Sequence, residues 1–182
     1  GTAPRFINEA EDEIAKISLL NSIKERAENV MITDLVRNDL ARSCITGSVI
    51  VEELFGIYTF PQVHQMITTI SGRIDEAKHF TDAIKLSFPM GSMTGAPKIK
   101  VMQLIEHYED ARRGLFSGTV GYISPDGDFD FNVVIRSLFY NEAKLYLSFF
   151  AGGAITYDSD PNAEWEEMRL KGRAMEKLFS VE

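Results

Sequence analysis

Phe88-Pro89-Met90-Gly91-Ser92-Met93-Thr94-Gly95-Ala96-Pro97-Lys98 sets two glycines, two prolines and two hydroxyls directly ahead of 99–108, a segment with helical apolar spacing. Gly91 and Gly95 permit tight backbone turns, and Pro97 suits the first helical turn, where its missing N–H costs nothing. A loop of this kind points unpaired N–H groups at whatever lies above the helix start, and that environment favours an anion. The same composition also serves as an ordinary glycine-rich connection. A Walker loop is excluded, because Ala96-Pro97 intervenes before Lys98 and Ile99 stands where Ser or Thr is required. The stretch marks a loop-to-helix junction, with an unnamed anion as one reading.

The 182 residues around it are 45% hydrophobic and 25% charged, a globular composition with no Pro/Ser-rich linker, so one domain over 1–182 is expected. Cys44 stands alone, which excludes an internal disulfide and fits a reducing compartment. No apolar run approaches about 20 residues and no signal peptide is visible, so a cytoplasmic protein without membrane contact is expected. The chain opens on Gly1 rather than methionine, which fits a piece of a longer protein. A net charge of −8 argues against a nucleic-acid partner. A small anionic substrate would need locally concentrated positive charge, from an arginine or from a metal held by carboxylates.

Upstream of the loop, residues 8–40 read as one long helix or two consecutive ones. Asn8 caps the start, Glu9, Glu11, Asp12 and Glu13 suit its positive end, and Ile14, Ile17, Leu20 and Ile23 form a stripe. Glu25 and Glu28 share a face, which is commonly no more than a solvated helix surface. Asp34-Leu35-Val36-Arg37-Asn38-Asp39 reads as a structural network of salt bridges and caps. Runs at 48–51, 55–59 and 63–70 look like strands, with Pro61 separating the last two. His64 and Gln65 are adjacent, so on a strand only one of them can look into a site; an edge or surface position is expected for His64. A short helix over 82–88 leads into the opening loop.

Downstream, a helix over 100–109 gives way to a β-meander. Strands are expected at 116–123, 129–139 and 145–150, with Pro125-Asp126-Gly127-Asp128 and Asn141-Glu142 as turns. Arg136 lies among apolar residues that would bury it partly, so it needs an anionic partner, either a structural carboxylate or a substrate. Ala151-Gly152-Gly153-Ala154 is small enough for close backbone approach to a ligand. A last helix opens at 158–161 and runs to about 179, with Asp160 as cap, Pro161 as first position, and Leu170, Ala174, Met175 and Leu178 as apolar contacts. Glu164, Glu167 and Lys171 share a face of it. Two Glu-x-x-Glu pairs on separate helices could meet around a hard divalent cation such as Mg²⁺, or be surface charge.

Taken together, Lys24-Glu25-Arg26-Ala27-Glu28, then Met31-Ile32-Thr33-Asp34-Leu35-Val36-Arg37-Asn38-Asp39, then Gly91-Ser92-Met93-Thr94-Gly95-Ala96-Pro97-Lys98, then Asp158-Ser159-Asp160-Pro161 with Glu164-Trp165-Glu166-Glu167 resemble the chorismate-utilising enzymes over essentially the whole chain. The resemblance implies an α+β sandwich of mainly antiparallel sheets with helices outside, incomplete here because the chain corresponds to the C-terminal part of the catalytic unit. Gly1-Thr2 are similar to the end of a Pro-Ile-Lys/Ala-Gly-Thr motif, whose lysine is the nucleophile in one branch of the family.

By that resemblance Glu28 and Glu167 are the Mg²⁺ ligands, Glu25 and Glu164 support them, and Lys171 lies near the metal. Arg136 grips the enolpyruvyl carboxylate, Gly152 and Gly153 offer N–H groups to a carboxylate, and Ser92, Thr94 and Gly95 belong to the substrate-facing loop. Phe116 replaces a frequent tyrosine and Ala154 a frequent glycine. Gln65 stands where anthranilate and salicylate synthases carry a histidine linked to pyruvate elimination, and glutamine cannot act as a general acid or base. The aminodeoxychorismate branch is therefore implied, acting on chorismate and on ammonia from a glutamine amidotransferase partner. The rivals are anthranilate formation and, for the chain alone, a non-catalytic carboxylate-binding module. Exposed sheet edges would favour a homo-oligomer.

Overall fold

Ser22 divides the long N-terminal helical segment. Its N–H donates to the Leu19 carbonyl (3.2 Å), closing α1 (Glu9–Asn21), while its hydroxyl accepts the Glu25 N–H (3.3 Å) and opens α2 (Ile23–Ala41). Asn8 caps α1 as expected, accepting the amides of Ala10 and Glu11. The computed structural model describes residues 1–157, 159–176, 178 and 179. They fall into two compact units, Gly1–Glu109 and Asp110–Glu182.

In the first unit, β1 (Thr2–Pro4), β2 (Ile50–Thr59) and β3 (Val63–Ser71) form an antiparallel sheet in the order β1-β3-β2. The runs at 48–51 and 55–59 are one strand. Register shifts between Val51 and Gly56, with Phe55 at φ +61°, make a bulge that the sequence presents as a gap. β1 was not anticipated; three residues carry too little pattern to be recognised as a strand. α3 (Phe80–Ser87) starts two residues earlier than expected because His79 caps it reciprocally with Asp82. α4 spans Lys98–Tyr108, and Pro97 takes the cap position just outside it rather than the first turn.

The apolar stripe expected over this segment does not form core. Ile14, Ile17 and Leu20 of α1 and Ile23, the first residue of α2, are 66%, 51%, 40% and 86% exposed, whereas Leu19 and Asp12 are buried. The helix is turned by the three hydrogen bonds that Asp12 accepts, described below, which outweigh the stripe.

The second unit holds two antiparallel pairs, β4 (Thr119–Ile123) with β5 (Phe129–Val133) and β6 (Leu138–Asn141) with β7 (Tyr146–Phe149), followed by α5 (Pro161–Glu176). The β4–β5 turn closes as read, with Gly127 at φ +95° donating to the Ser124 carbonyl. The single strand expected over 129–139 is two, because the chain turns at 134–137. Asp160 accepts the Ala163 amide (2.8 Å) and Pro161 is the first residue of α5, as expected. Met175 is buried, but Leu170 and Leu178 are exposed at 62% and 70%, so they supply no core. Asp158, expected at the helix approach, lies outside the described residues, as does the side chain of Ala174. No helix among the described residues is long and apolar enough to cross a membrane.

Candidate functional site

In the first unit the candidate residues lie along α2. Glu25, in its first turn, faces the residue before β1: a Cβ placed on Gly1 would fall 2.8 Å from Glu25 Oε2. Thr2 pairs with Gln65, and the Met66 N–H donates to the Gly1 carbonyl (2.9 Å). Gly1 is therefore beside Glu25 on the face of β3 that α2 covers, while Thr2 and Gln65 pair on the opposite face. Glu28, one turn on, faces Lys24 at 3.8 Å. Beyond it a cleft of ≈ 400 Å³ runs between α2 and β3, lined by Asn29, Ile32, Thr33, Val36, Thr68, Thr69 and Ile70.

The opening loop lies against the far end of the same helix. Gly91 packs so closely on Leu35 that a Cβ there would come 2.7 Å from the leucine's own Cβ. Asp39, 4% exposed, accepts the Gly91 N–H (3.3 Å) and pairs with the Lys98 ammonium. The anion expected above this loop is thus the chain's own carboxylate, and the Asp34–Asp39 cluster is the structural network read from sequence, with Arg37 bonded to Asp34 at 3.1 Å. Thr94 donates its hydroxyl to the carbonyls of Met90 and Gly91, holding the 3₁₀ turn Gly91–Met93, while Ser92 is exposed. Gly95 adopts φ +143° over Val101. The loop thus packs at Leu35 and Asp39, about 15–20 Å along α2 from Glu25 at 1.5 Å per residue.

The second unit gathers more of its candidates. Lys171 bonds the Glu167 carboxylate at 2.8 Å and donates to the Gly152 carbonyl at 3.2 Å. A Cβ on Gly153 would fall 3.0 Å from Glu164 Oε2, and Glu164, 8% exposed, accepts the Ser159 hydroxyl (2.9 Å). Gly152, Gly153, Glu164, Glu167 and Lys171 thus form one cluster, in which Glu164 approaches Gly153 and Lys171 links the Gly152 carbonyl to Glu167. Phe116 stacks on Phe150 (5.4 Å between centroids, 22° between planes), and the Arg113 guanidinium lies 5.9 Å over its ring. An apolar stack occupies the position where a tyrosine would place a hydroxyl.

Arg136 departs from expectation. It is exposed rather than partly buried, and among the described residues it has no carboxylate partner. The cause is the turn at 134–137, where the Ile135 N–H donates to Val133 and the Ser137 hydroxyl to Ile135. Arg136 sits there at φ +50°, a left-handed conformation uncommon outside glycine. A guanidinium held out on such a turn is available to an anion from solution.

His64 also overturns its surface reading, because it is fully buried. Its Nε2 lies 2.8 Å from Asp12 Oδ1 and its Nδ1 3.0 Å from the Thr59 hydroxyl. Asp12 accepts, so Nε2 carries a proton and donates to it, while Nδ1 shares a hydrogen bond with the Thr59 hydroxyl. The same Asp12 oxygen accepts Phe6 N–H (2.9 Å) and Arg5 Nε (3.1 Å). Sequence reading missed this hub because Asp12 and His64 are separated by 52 residues and Asp12 doubles as an ordinary first-turn acid.

The Phe6 N–H bond, followed by the His64 bond and the Arg5 charge, outweighs burial and lowers the Asp12 carboxyl from 3.8 to about 2. A carboxyl depressed on folding stabilises the native state fully above its unfolded value and loses that contribution as pH falls through the folded one. Stability measured by urea unfolding is expected to drop between pH 4 and pH 2, and Asp12→Asn is expected to flatten that limb; an unchanged limb would remove Asp12 as its source.

Within either unit, no group of three or more histidine, cysteine or carboxylate side chains converges among the described residues. The two candidate Glu-x-x-Glu pairs, Glu25/Glu28 and Glu164/Glu167, fall one in each unit. In each unit one of these hard oxygen donors is met by an ammonium, Lys24 on Glu28 and Lys171 on Glu167, which an incoming cation would have to displace or share. That donor chemistry fits Mg²⁺, which uses few carboxylates and completes its shell with substrate oxygens and water.

Residues 1–177 match the chorismate binding enzyme family. The chain is 43% identical over 167 residues to aminodeoxychorismate synthase component 1 of Salmonella typhimurium, covering 92% of this chain and 36% of that protein. It is 39% identical over 181 residues to anthranilate synthase component 1 of Aquifex aeolicus, covering 100% of this chain and 36% of that one. The crystal structure of anthranilate synthase component I from Streptococcus pneumoniae superposes with a TM-score of 0.75 at 31% identity, over 96% of this chain and 39% of that chain. The chain spans little more than a third of the length of these relatives. With a match running over nearly all of its residues, it belongs to the chorismate binding enzyme family.

Proposed function

We propose that this chain is part of an aminodeoxychorismate synthase, which replaces the 4-hydroxyl of chorismate with ammonia and releases water, leaving the enolpyruvyl group in place. The observation that carries the choice of product is the state of β3. Gln65 is the residue that pairs with Thr2, and the adjacent imidazole, His64, is fully buried with both ring nitrogens bonded. No imidazole from this strand is free to move a proton in pyruvate elimination. The somewhat higher identity to the Salmonella typhimurium synthase than to the Aquifex aeolicus enzyme supports the same choice.

In this reading Glu28 and Glu167 are Mg²⁺ ligands, with Glu25 and Glu164 orienting them. The ion, when bound, neutralises the ring carboxylate of chorismate, which a chain of charge −8 would otherwise repel. Arg136 holds the enolpyruvyl carboxylate with its planar fork. Gly152 and Gly153 bring backbone within reach of a carboxylate, Lys171 holds the turn to Glu167, and Ser92, Thr94 and Gly95 shape the loop that faces substrate. Ammonia comes from a glutamine amidotransferase subunit.

The test is product analysis. Full-length enzyme given chorismate, Mg²⁺ and ammonia is expected to consume chorismate without releasing pyruvate. Pyruvate and anthranilate in equal amounts would establish the anthranilate synthase reading instead.

A further inference from the structure

We propose that the Arg5–Asp12–His64 hub is a positioning device for this reaction, setting where β1 and the residue before it present Gly1 to Glu25 on one face and Thr2 to Gln65 on the other. The inference rests on the functional reading above for the importance of that neighbourhood.

β1 is three residues long and lies at the edge of its sheet. A ladder so short specifies its register weakly, and a slip of one residue would turn Thr2 to the opposite face. What fixes it is the hub immediately after it. Arg5 donates its N–H to Gln62 (3.3 Å), one guanidinium nitrogen to the Phe60 carbonyl (3.2 Å) and Nε to Asp12, while the Phe6 N–H reaches the same Asp12 oxygen. His64 then joins that oxygen to β3 and, through Thr59, to β2. The exit of β1, the first turn of α1 and both long strands meet on one carboxylate.

Burying a carboxylate and an imidazole for stability alone is a poor use of polar groups, since a well-packed apolar cluster often serves as well or better. A satisfied polar network does fix a single geometry. Successive strand residues face opposite sides, so the anchored His64 holds β3 from one face while Gln65 is offered on the other.

Two readouts test the proposal in the full-length enzyme. His64→Leu is expected to lower kcat by about 10- to 100-fold with KM for chorismate within about threefold, the scale of a displacement near 1 Å at a reacting site. His64→Gln, whose amide N–H can replace the Nε2 donor to Asp12, is expected to recover most of that loss. Arg5→Met, at a side chain 35% exposed, removes one donor with less risk to folding and is expected to lower kcat in the same direction. Amide exchange at Met66, whose N–H bonds Gly1, is expected to accelerate in His64→Leu and Arg5→Met while exchange toward the other end of β3 stays unchanged. Lower stability with wild-type kcat per folded molecule, or unchanged Met66 exchange, overturns the proposal. Met66 exchange needs no substrate, and kcat is compared with wild type for whichever product forms, so failure of the functional reading is detected separately.

Discussion

Glu167→Ala is expected to abolish turnover and its dependence on Mg²⁺. The expected loss in kcat/KM is about 10³-fold or more, because a bound cation at a developing or fixed negative charge supplies several kcal/mol and each 1.4 kcal/mol is a factor of ten. The substitution also removes the partner of Lys171, which then faces Gly152 without the 2.8 Å ion pair. Lys171→Met measures that part separately. Glu166→Ala is the control: its carboxylate is exposed and meets Arg169 at 3.4 Å on the helix surface, a contact worth little. Calorimetric titration with chorismate, with and without Mg²⁺, checks the assignment. A Glu167→Ala enzyme that retains activity and Mg²⁺ dependence sinks the metal role of this residue.

The largest effect on stability is expected at Lys98. Its side chain is 19% exposed and that of Asp39 6%, so Lys98→Met leaves a nearly dehydrated carboxylate with only the Gly91 N–H to stabilise it. Removing one member of such a pair costs about 3–5 kcal/mol, whereas replacing both members is far milder. The double variant Asp39→Asn/Lys98→Met is therefore expected to regain most of the loss, and urea unfolding of the three proteins measures the coupling. A single-variant cost below about 1 kcal/mol would put the pair in the class of surface ion pairs. Because Asp39 ties the turn carrying Ser92 and Thr94 to the helix carrying Glu25 and Glu28, the variant also tests whether the loop keeps its place.

Local chemistry made the ends of elements legible. Asn8, Asp160, Pro161 and the Asp126-Gly127 turn do what their residue types dictate, since caps and turns are decided within a few residues. Features decided at a distance were hidden. The stripe Ile14, Ile17, Leu20 and Ile23 has the period of a buried helix face, yet the bonds that Asp12 accepts orient α1 otherwise. The bulge at Phe55 and the turn at Arg136 place non-glycine residues at positive φ, which no propensity announces. Of the candidate site, the cluster of Glu164, Glu167 and Lys171 followed from helical spacing, and its meeting with Gly152 and Gly153 was expected only from the family resemblance. His64 was legible as a strand residue but not as a buried one, since alternation says which residues share a face and not which face is covered.

The left-handed backbone at Arg136 sets two selective pressures against each other. Glycine or asparagine would occupy that conformation with less strain, by about 1 kcal/mol, but neither carries charge. A lineage that no longer needed to recognise a carboxylate would drift toward those residues and gain robustness. Persistence of arginine at so awkward a backbone position would be the mark of continuing selection for the ligand.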